Sequence, residues 1–237
     1  MYQNVNQAAQ ITLTQARRDA STVFLAKVFN WMAIGLGITG VVALAAAESG
    51  LAMTIVASPI FMILLIAELG LVFFLSARVA KLSPTTASGV FIGYALLNGL
   101  TLSAIFLAYT KSSIAGTFFI TAGMFGAMSV YGIVTKRDLS GWGSFLFMGL
   151  IGVIIASIVN FFLKSPMMHW VISMAGVLVF VGLTAYDVQK IKRMGEQGIM
   201  DQGEAMVKRG AIMGALTLYL DFINLFLMLL TFFGNRD

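Results

Sequence analysis

AIMGALTLYLDFINLFLMLLTFF, residues 211–233, is an apolar run interrupted by one charge, Asp221. It is long enough for the roughly 20 residues an α-helix needs to cross the hydrocarbon core of a bilayer. Stepping by threes and fours from Asp221 reaches Gly210, Gly214, Thr217, Asn224, Met228 and Thr231, which share one helix face. The other faces are Leu, Ile, Phe, Ala and Met, with Tyr219 the main polar exception. A small and polar stripe on an otherwise apolar membrane helix belongs toward the bundle interior or a wet cavity. An ionised carboxylate at the centre of such a helix costs about 2.5–3.5 kcal/mol on insertion scales. Asp221 therefore asks for a functional reason, and its neighbours Thr217 and Asn224 become candidate lining residues of an ion path. The two glycines read as a small-xxx-small contact for a neighbouring helix.

Two further acids lie in comparable surroundings. Asp187 closes WVISMAGVLVFVGLTAYD (170–187), just ahead of the basic cluster Lys190, Lys192 and Arg193. Glu68 sits within ILLIAELGLVFFLSARVAKLS (63–83), where its helical neighbours Leu64, Leu65, Leu71 and Val72 are apolar. Its partner must come from another helix, either as part of an ion or proton path or as a single interhelical hydrogen bond. Arg78 reads as a snorkelling anchor or as a cation that reaches back to a carboxylate.

The rest of the chain repeats the apolar pattern. Of 237 residues, 59% are hydrophobic and 11% charged, and the mean hydropathy is +0.93. Soluble domains carry about 25% charged residues, so the composition is that of a membrane protein. Seven spans are expected, at about 23–47, 51–77, 87–109, 114–134, 142–163, 168–187 and 210–233. The fold class is thus all-α and transmembrane, with a polar cytoplasmic tail at 1–22 and one seven-helix domain at 23–237. No stretch remains for a soluble domain. The tail is too long and polar for the n-region of a signal peptide, and the run before the alanines at 45–47 is too long for an h-region.

Twelve of the fifteen lysines and arginines fall in the tail and the 2–3, 4–5 and 6–7 connections; Lys111, Lys164 and Arg236 fall on the other side. The positive-inside rule then puts the N-terminus in the cytoplasm and the C-terminus outside. The net charge of +5 reflects that asymmetry, with the lipid bilayer as partner and no nucleic acid, since no basic stripe is interleaved with aromatics. There are no cysteines, which excludes disulfides, thiolate metal sites and thiol nucleophiles. The single histidine, His169, lacks neighbours for a metal site, and Trp31, Trp142 and Trp170 fit an interfacial aromatic belt.

Depth decides whether the aspartates meet. Asp187 is expected near the cytoplasmic end of the sixth span and Asp221 near the midplane, about 16 Å deep. They touch only if the cytoplasmic half of the bundle is funnelled or the seventh helix displaced. In contact, two carboxyls in low dielectric cannot both ionise easily and titrate as a unit, which makes a pH sensor. The same oxygens can hold a passing divalent cation.

Known classes narrow the reading. A retinal-type seven-helix protein needs a lysine in its last span, and none is present. An intramembrane aspartyl protease has TyrAsp at its first aspartate, as at 186–187. Its second follows Gly-x-Gly and is succeeded by ProAlaLeu, whereas here Asp221 follows LeuTyrLeu and no proline occurs after Pro166. No enzymatic activity is expected.

YDVQKIK (186–192), LYLDFINLF (218–226) and ELGLVF (68–73) resemble the motifs of the Bax inhibitor-1 family, also called transmembrane Bax inhibitor motif or YccA-like proteins. The resemblance covers essentially all seven spans. It implies a bundle in which six helices surround a central seventh. It also implies, for a bacterial inner-membrane member, a pH-sensitive calcium leak governed by an aspartyl pair. Asp187 and Asp221 occupy the pair's motif positions, with calcium as a transient, transported ion and no cofactor. An arginine ending the second helix latches the first aspartate in some relatives, and Arg78 stands one residue from that spacing. Some relatives carry a basic residue ten after the second aspartate, where this chain has Thr231. An EQGIMDQGE segment (196–204) lengthens the loop between the motifs. The YccA branch implies an alternative, an interaction protein that modulates the FtsH membrane protease.

Overall fold

The computed structural model describes the backbone of residues 2–235 and the side chains of residue 13 and residues 15–235. Met1, Arg236 and Asp237 lie outside the described residues. The chain is built from α1 (Tyr2–Glu48), α2 (Leu51–Val56), α3 (Ile60–Arg78), α4 (Pro84–Leu102), α5 (Lys111–Val134), α6 (Ser140–Leu163), α7 (Pro166–Glu196) and α8 (Glu204–Phe233). Short 3₁₀ segments, Val79–Lys81, Ser103–Leu107 and Ile199–Asp201, follow α3, α4 and α7. All of these except α2 and the 3₁₀ turns are long and apolar enough to span a membrane, and no strand occurs among the described residues.

Local chemistry sets the starts. Ser83 accepts the Thr86 N–H at 3.0 Å and Pro84 occupies the first turn of α4; Ser165 and Pro166 do the same for α7. A serine side chain satisfies a free N–H there, and proline has none to satisfy. Thr110 caps α5 in the same way.

Five features differ from those read off hydropathy. The expected second span, 51–77, is two helices broken at Ser58–Pro59, because an apolar run does not register a chain break. The end of the expected third span, from Ser103, is 3₁₀. The polar stretch at 1–22 is helical from Tyr2 and continuous with the first span. The sixth span does not stop at Asp187 but continues to Glu196, and the seventh begins at Glu204. Charged residues end a membrane span without ending a helix, so hydropathy places these ends too early.

The last of these differences positions the site. α7 and α8 form an antiparallel hairpin whose turn is helped by positive φ at Gly198 and Gly203, a conformation glycine takes without steric cost. Gly176 packs on Met228, Gly214 on Ile191 and Gly210 on Ile199. Along this hairpin Asp187 lies opposite Asp221.

α8 is the most buried span and packs against α1, α4, α5 and α7. It is the central helix expected, with α3 and α6 one step outside it, packed chiefly on α4 and α7. Close approach depends on small residues, as it does wherever water supplies no hydrophobic drive between helices. A Cβ at Gly132 would lie 2.5 Å from the Ala185 carbonyl oxygen, and one at Gly195 2.5 Å from Ser21 Cα. Trp142 and Trp170 are exposed, whereas Trp31 turns inward and meets Phe91 edge-on.

Candidate functional site

Asp187 and Asp221 are both buried, and their carboxyls lie within hydrogen-bonding reach of each other. Asp221 Oδ2 is fully enclosed and meets no N–H or O–H donor among the described residues. A carboxylate only accepts hydrogen bonds. A bond between these two groups therefore requires one shared proton, and with both ionised the contact is a like-charge conflict in low dielectric. The alternative remedy is a cation between them, for which carboxylate oxygens are hard ligands.

Lys190, one turn along α7, is the cation whose field acts on Asp187. Arg78 is exposed at the end of α3, and its side chain makes no hydrogen bond or ion pair among the described residues. The structure does not bring it to Asp187.

The stripe on α8 is only partly enclosed. Thr217 donates to the Met213 carbonyl at 3.1 Å and Asn224 Nδ2 to the Leu220 carbonyl at 2.8 Å. Each of these bonds returns to the residue's own helix. Farther along, Met228 and Thr231 line a cleft of about 500 Å³ with Asn160 and Ser157 of α6 and His169 and Ser173 of α7. Met228 packs on Gly176, between Asn224 and Thr231 along the stripe. The opposing face of α5 adds buried hydroxyls. Thr117 Oγ1 and Ser129 Oγ are enclosed without a partner among the described residues. Phe125 meets the ring of Phe222, beside Asp221, and Gly132 touches Ala185, two residues before Asp187. Ser129 lies between these two contacts.

Glu68 is elsewhere, on the other side of α8. Asn98 Nδ2 donates to its Oε2 at 3.2 Å and Thr101 to its Oε1 at 2.6 Å. Both partners come from α4, so the interhelical partner expected from the sequence is present, doubled. Asn98, Thr101 and Thr39 were not legible as site residues, since a single Asn or Thr in a span has no signature of its own. Tyr219 was visible only as the polar exception on α8.

A polar clasp closes the end of the bundle where the basic residues gather. Gln189 accepts the Leu139 N–H and donates to the Arg137 carbonyl. Arg193 pairs with Asp138 at 2.6 Å. The Ser140 backbone N–H, with Arg193 second, holds the Asp138 carboxyl down at about 2. Among the described residues no three His, Asp or Glu side chains converge as a metal centre.

Comparison with known proteins agrees with this architecture. The family model described as inhibitor of apoptosis-promoting Bax1 matches residues 21–237. The inner membrane protein YbhL of Escherichia coli K12 is 54% identical over 95% of this chain and 96% of its own length. An uncharacterized protein of Deinococcus radiodurans is 43% identical over 98% of this chain and all of its own. An uncharacterized membrane protein of Streptococcus pyogenes is 41% identical over 90% and 93%.

Proposed function

The chain belongs to the Bax inhibitor family of integral membrane proteins, and from that premise we propose that it is a pH-gated calcium leak of a bacterial inner membrane. The observation that carries the reading is the contact between the buried Asp187 and Asp221 carboxyls, in which one Asp221 oxygen meets no donor among the described residues. A proton shared by the pair holds the two helices together, and loss of that proton leaves a doubly charged site that recruits a cation. Calcium is the cargo and the aspartyl oxygens its transient ligands, with no resident cofactor. The α8 stripe leads from Thr217 past Asp221 and Asn224 to the cleft beyond Met228. It supplies oxygen atoms at helical intervals, as hard cations prefer. The basic clusters lie at the end that the positive-inside rule assigns to the cytoplasm. The inner-membrane location follows from the seven apolar spans and from the relative named as an inner membrane protein.

The test is calcium entry into dye-loaded liposomes containing the purified protein. Flux above that of empty liposomes is expected. Equal flux in protein-containing and empty vesicles contradicts the leak.

A second reading, modulation of a membrane protease such as FtsH, is favoured by one feature: α1 runs on as a polar helix before its apolar span begins at Gln15. That reading expects copurification with the protease, lost on deleting the first 20 or so residues while flux stays unchanged.

A further inference from the structure

Glu68 has 8% of its surface exposed, although Ile66 and Leu69 beside it are 65% and 61% exposed on the outer face of α3. The carboxyl turns inward onto α4 and begins a line of contacts that crosses the bundle. Asn98 Nδ2 reaches Glu68 Oε2 at 3.2 Å, the Tyr219 hydroxyl reaches Asn98 Oδ1 at 3.0 Å, and Thr39 Oγ1 lies 2.6 Å from the Tyr219 hydroxyl. Thr39 also lies 2.9 Å from the Ala95 carbonyl oxygen. Four helices take part: α3, α4, α8 and α1. Tyr219 is fully buried, with the rings of Phe91 and Tyr94 packed edge-on against it.

The protons available do not match the contacts. Thr39 and Tyr219 have one hydroxyl proton each, yet three contacts need one: Thr39 with Ala95, Thr39 with Tyr219, and Tyr219 with Asn98. With the Asn98 carbonyl toward Tyr219, the two hydroxyl protons fill two of the three; with the amide turned over, Asn98 supplies the third proton. With Glu68 ionised, Asn98 donates to it, Tyr219 donates to the Asn98 carbonyl, and Thr39 donates to Tyr219. With a proton on Glu68 Oε2, a donor would face a donor unless the Asn98 amide turns over. The two ends of an amide are nearly equal in size, so the turn needs no new space. Glu68 then donates to Asn98, Asn98 to Tyr219, Tyr219 to Thr39, and Thr39 to the Ala95 carbonyl. In this second polarity all three contacts are filled, Thr39–Ala95 among them.

We propose that Glu68 is a second proton-binding site, distinct from the aspartyl pair, whose proton reverses this buried hydrogen-bond relay from α3 through Asn98 and Tyr219 to Thr39. Tyr94, Asn98 and Thr101 of α4 and Tyr219 of α8 are the polar groups facing it, and no cation pairs with it among the described residues. The ligand is a proton. Its effect reaches Tyr219, two residues from Asp221 on α8. Proton binding at Glu68 does not depend on whether the bundle conducts calcium.

Infrared difference spectra taken between pH steps test it, in the Asp187→Asn/Asp221→Asn background so that the pair is silent. The expected result is a carboxyl band, an amide side-chain band and a tyrosine band, identified by isotope-labelled Tyr and Asn, that change at one midpoint. Glu68→Gln, whose amide both donates and accepts, removes all three. Tyr219→Phe moves the carboxyl midpoint by up to about one pH unit, the size of one neutral hydrogen bond, since Tyr219 reaches Glu68 only through Asn98. A carboxyl band that titrates while the Tyr and Asn bands stay still overturns the relay. In that event the proton sits on Oε1 and Thr101 absorbs it by turning to the Asn98 backbone carbonyl, 3.0 Å away. Absence of any Glu68-dependent band at every pH where the protein stays folded overturns the site itself.

Discussion

Asp187 on α7 and Asp221 on α8 face each other across an antiparallel hairpin, buried and within hydrogen-bonding reach, with one Asp221 oxygen meeting no donor among the described residues. The pair is complete only with a shared proton or a bound cation. That requirement governs both the stability of the hairpin and its response to pH.

An Asn at either position supplies a permanent donor to the remaining carboxyl. Asp187→Asn and Asp221→Asn should each fold, with melting temperatures in detergent within a few degrees of the parent. Asp221→Ala instead strips the partner from buried Asp187 and should lower stability by about 1–3 kcal/mol. Thermal unfolding of the three variants at neutral pH checks the order, and an Asn variant less stable than Asp221→Ala would contradict it.

Gly132 and Gly123 are both on α5 but meet different surroundings. A Cβ at Gly132 would collide with the Ala185 backbone, whereas one at Gly123 meets nothing within 4 Å. Gly132→Ala should destabilise by about 1–3 kcal/mol through overpacking. Gly123→Ala should be neutral or stabilising by up to about 1 kcal/mol through helix propensity. Denaturation in mixed micelles measures both.

Met228 lines the cleft between α6, α7 and α8, two turns along α8 from Asp221. If calcium passes along the α8 stripe, Met228→Ala widens the path and raises liposome flux, while Leu178→Ala, exposed on the outer face of α7, does not. Equal flux in both variants and the parent would mean that the stripe is not the route.

The Asp138–Arg193 clasp is not a neutral-range switch. The Asp138 carboxyl is held at about 2, below its ordinary 3.8, by the Ser140 N–H first and Arg193 second. A lowered value stabilises the fold above the ordinary carboxylate range, and the contribution fades only as pH falls through about 3.8 toward 2. Tryptic cleavage after Lys136 and Arg137 should therefore be accelerated by Asp138→Asn to the same degree at pH 6 as at pH 8, two values well above that window. Gln189→Ala, which releases the Leu139 N–H and the Arg137 carbonyl, should accelerate it further.

Much of the fold was legible in the sequence, for reasons that are local. Seven apolar runs of spanning length give seven spanning helices, but the polar stripe does not mark the inner side of the last one: Asp221 is buried, Thr217, Asn224, Met228 and Thr231 are only half-buried, and Ile212, Leu216, Tyr219 and Leu225 on the other faces are fully enclosed. Where one helix meets another was not legible. Hydropathy stops at Asp187, so the pair reads as separated by depth; the helix in fact carries Gln189, Lys192 and Arg193 outward for more than two further turns. Pro59 was visible but submerged in an apolar run. The relay from Glu68 joins single polar residues on four helices, and no one of them stands out within its own span. Which side of the membrane each end faces rests still on the charge count.

Gating of calcium by the aspartyl pair has one decisive measurement. It is calcium flux through the purified protein in dye-loaded liposomes at stepped pH, for the parent chain beside Asp187→Asn and Asp221→Asn. Flux should change with pH in the parent and lose that dependence in both variants. Flux with the same pH profile in all three proteins would contradict gating by the pair.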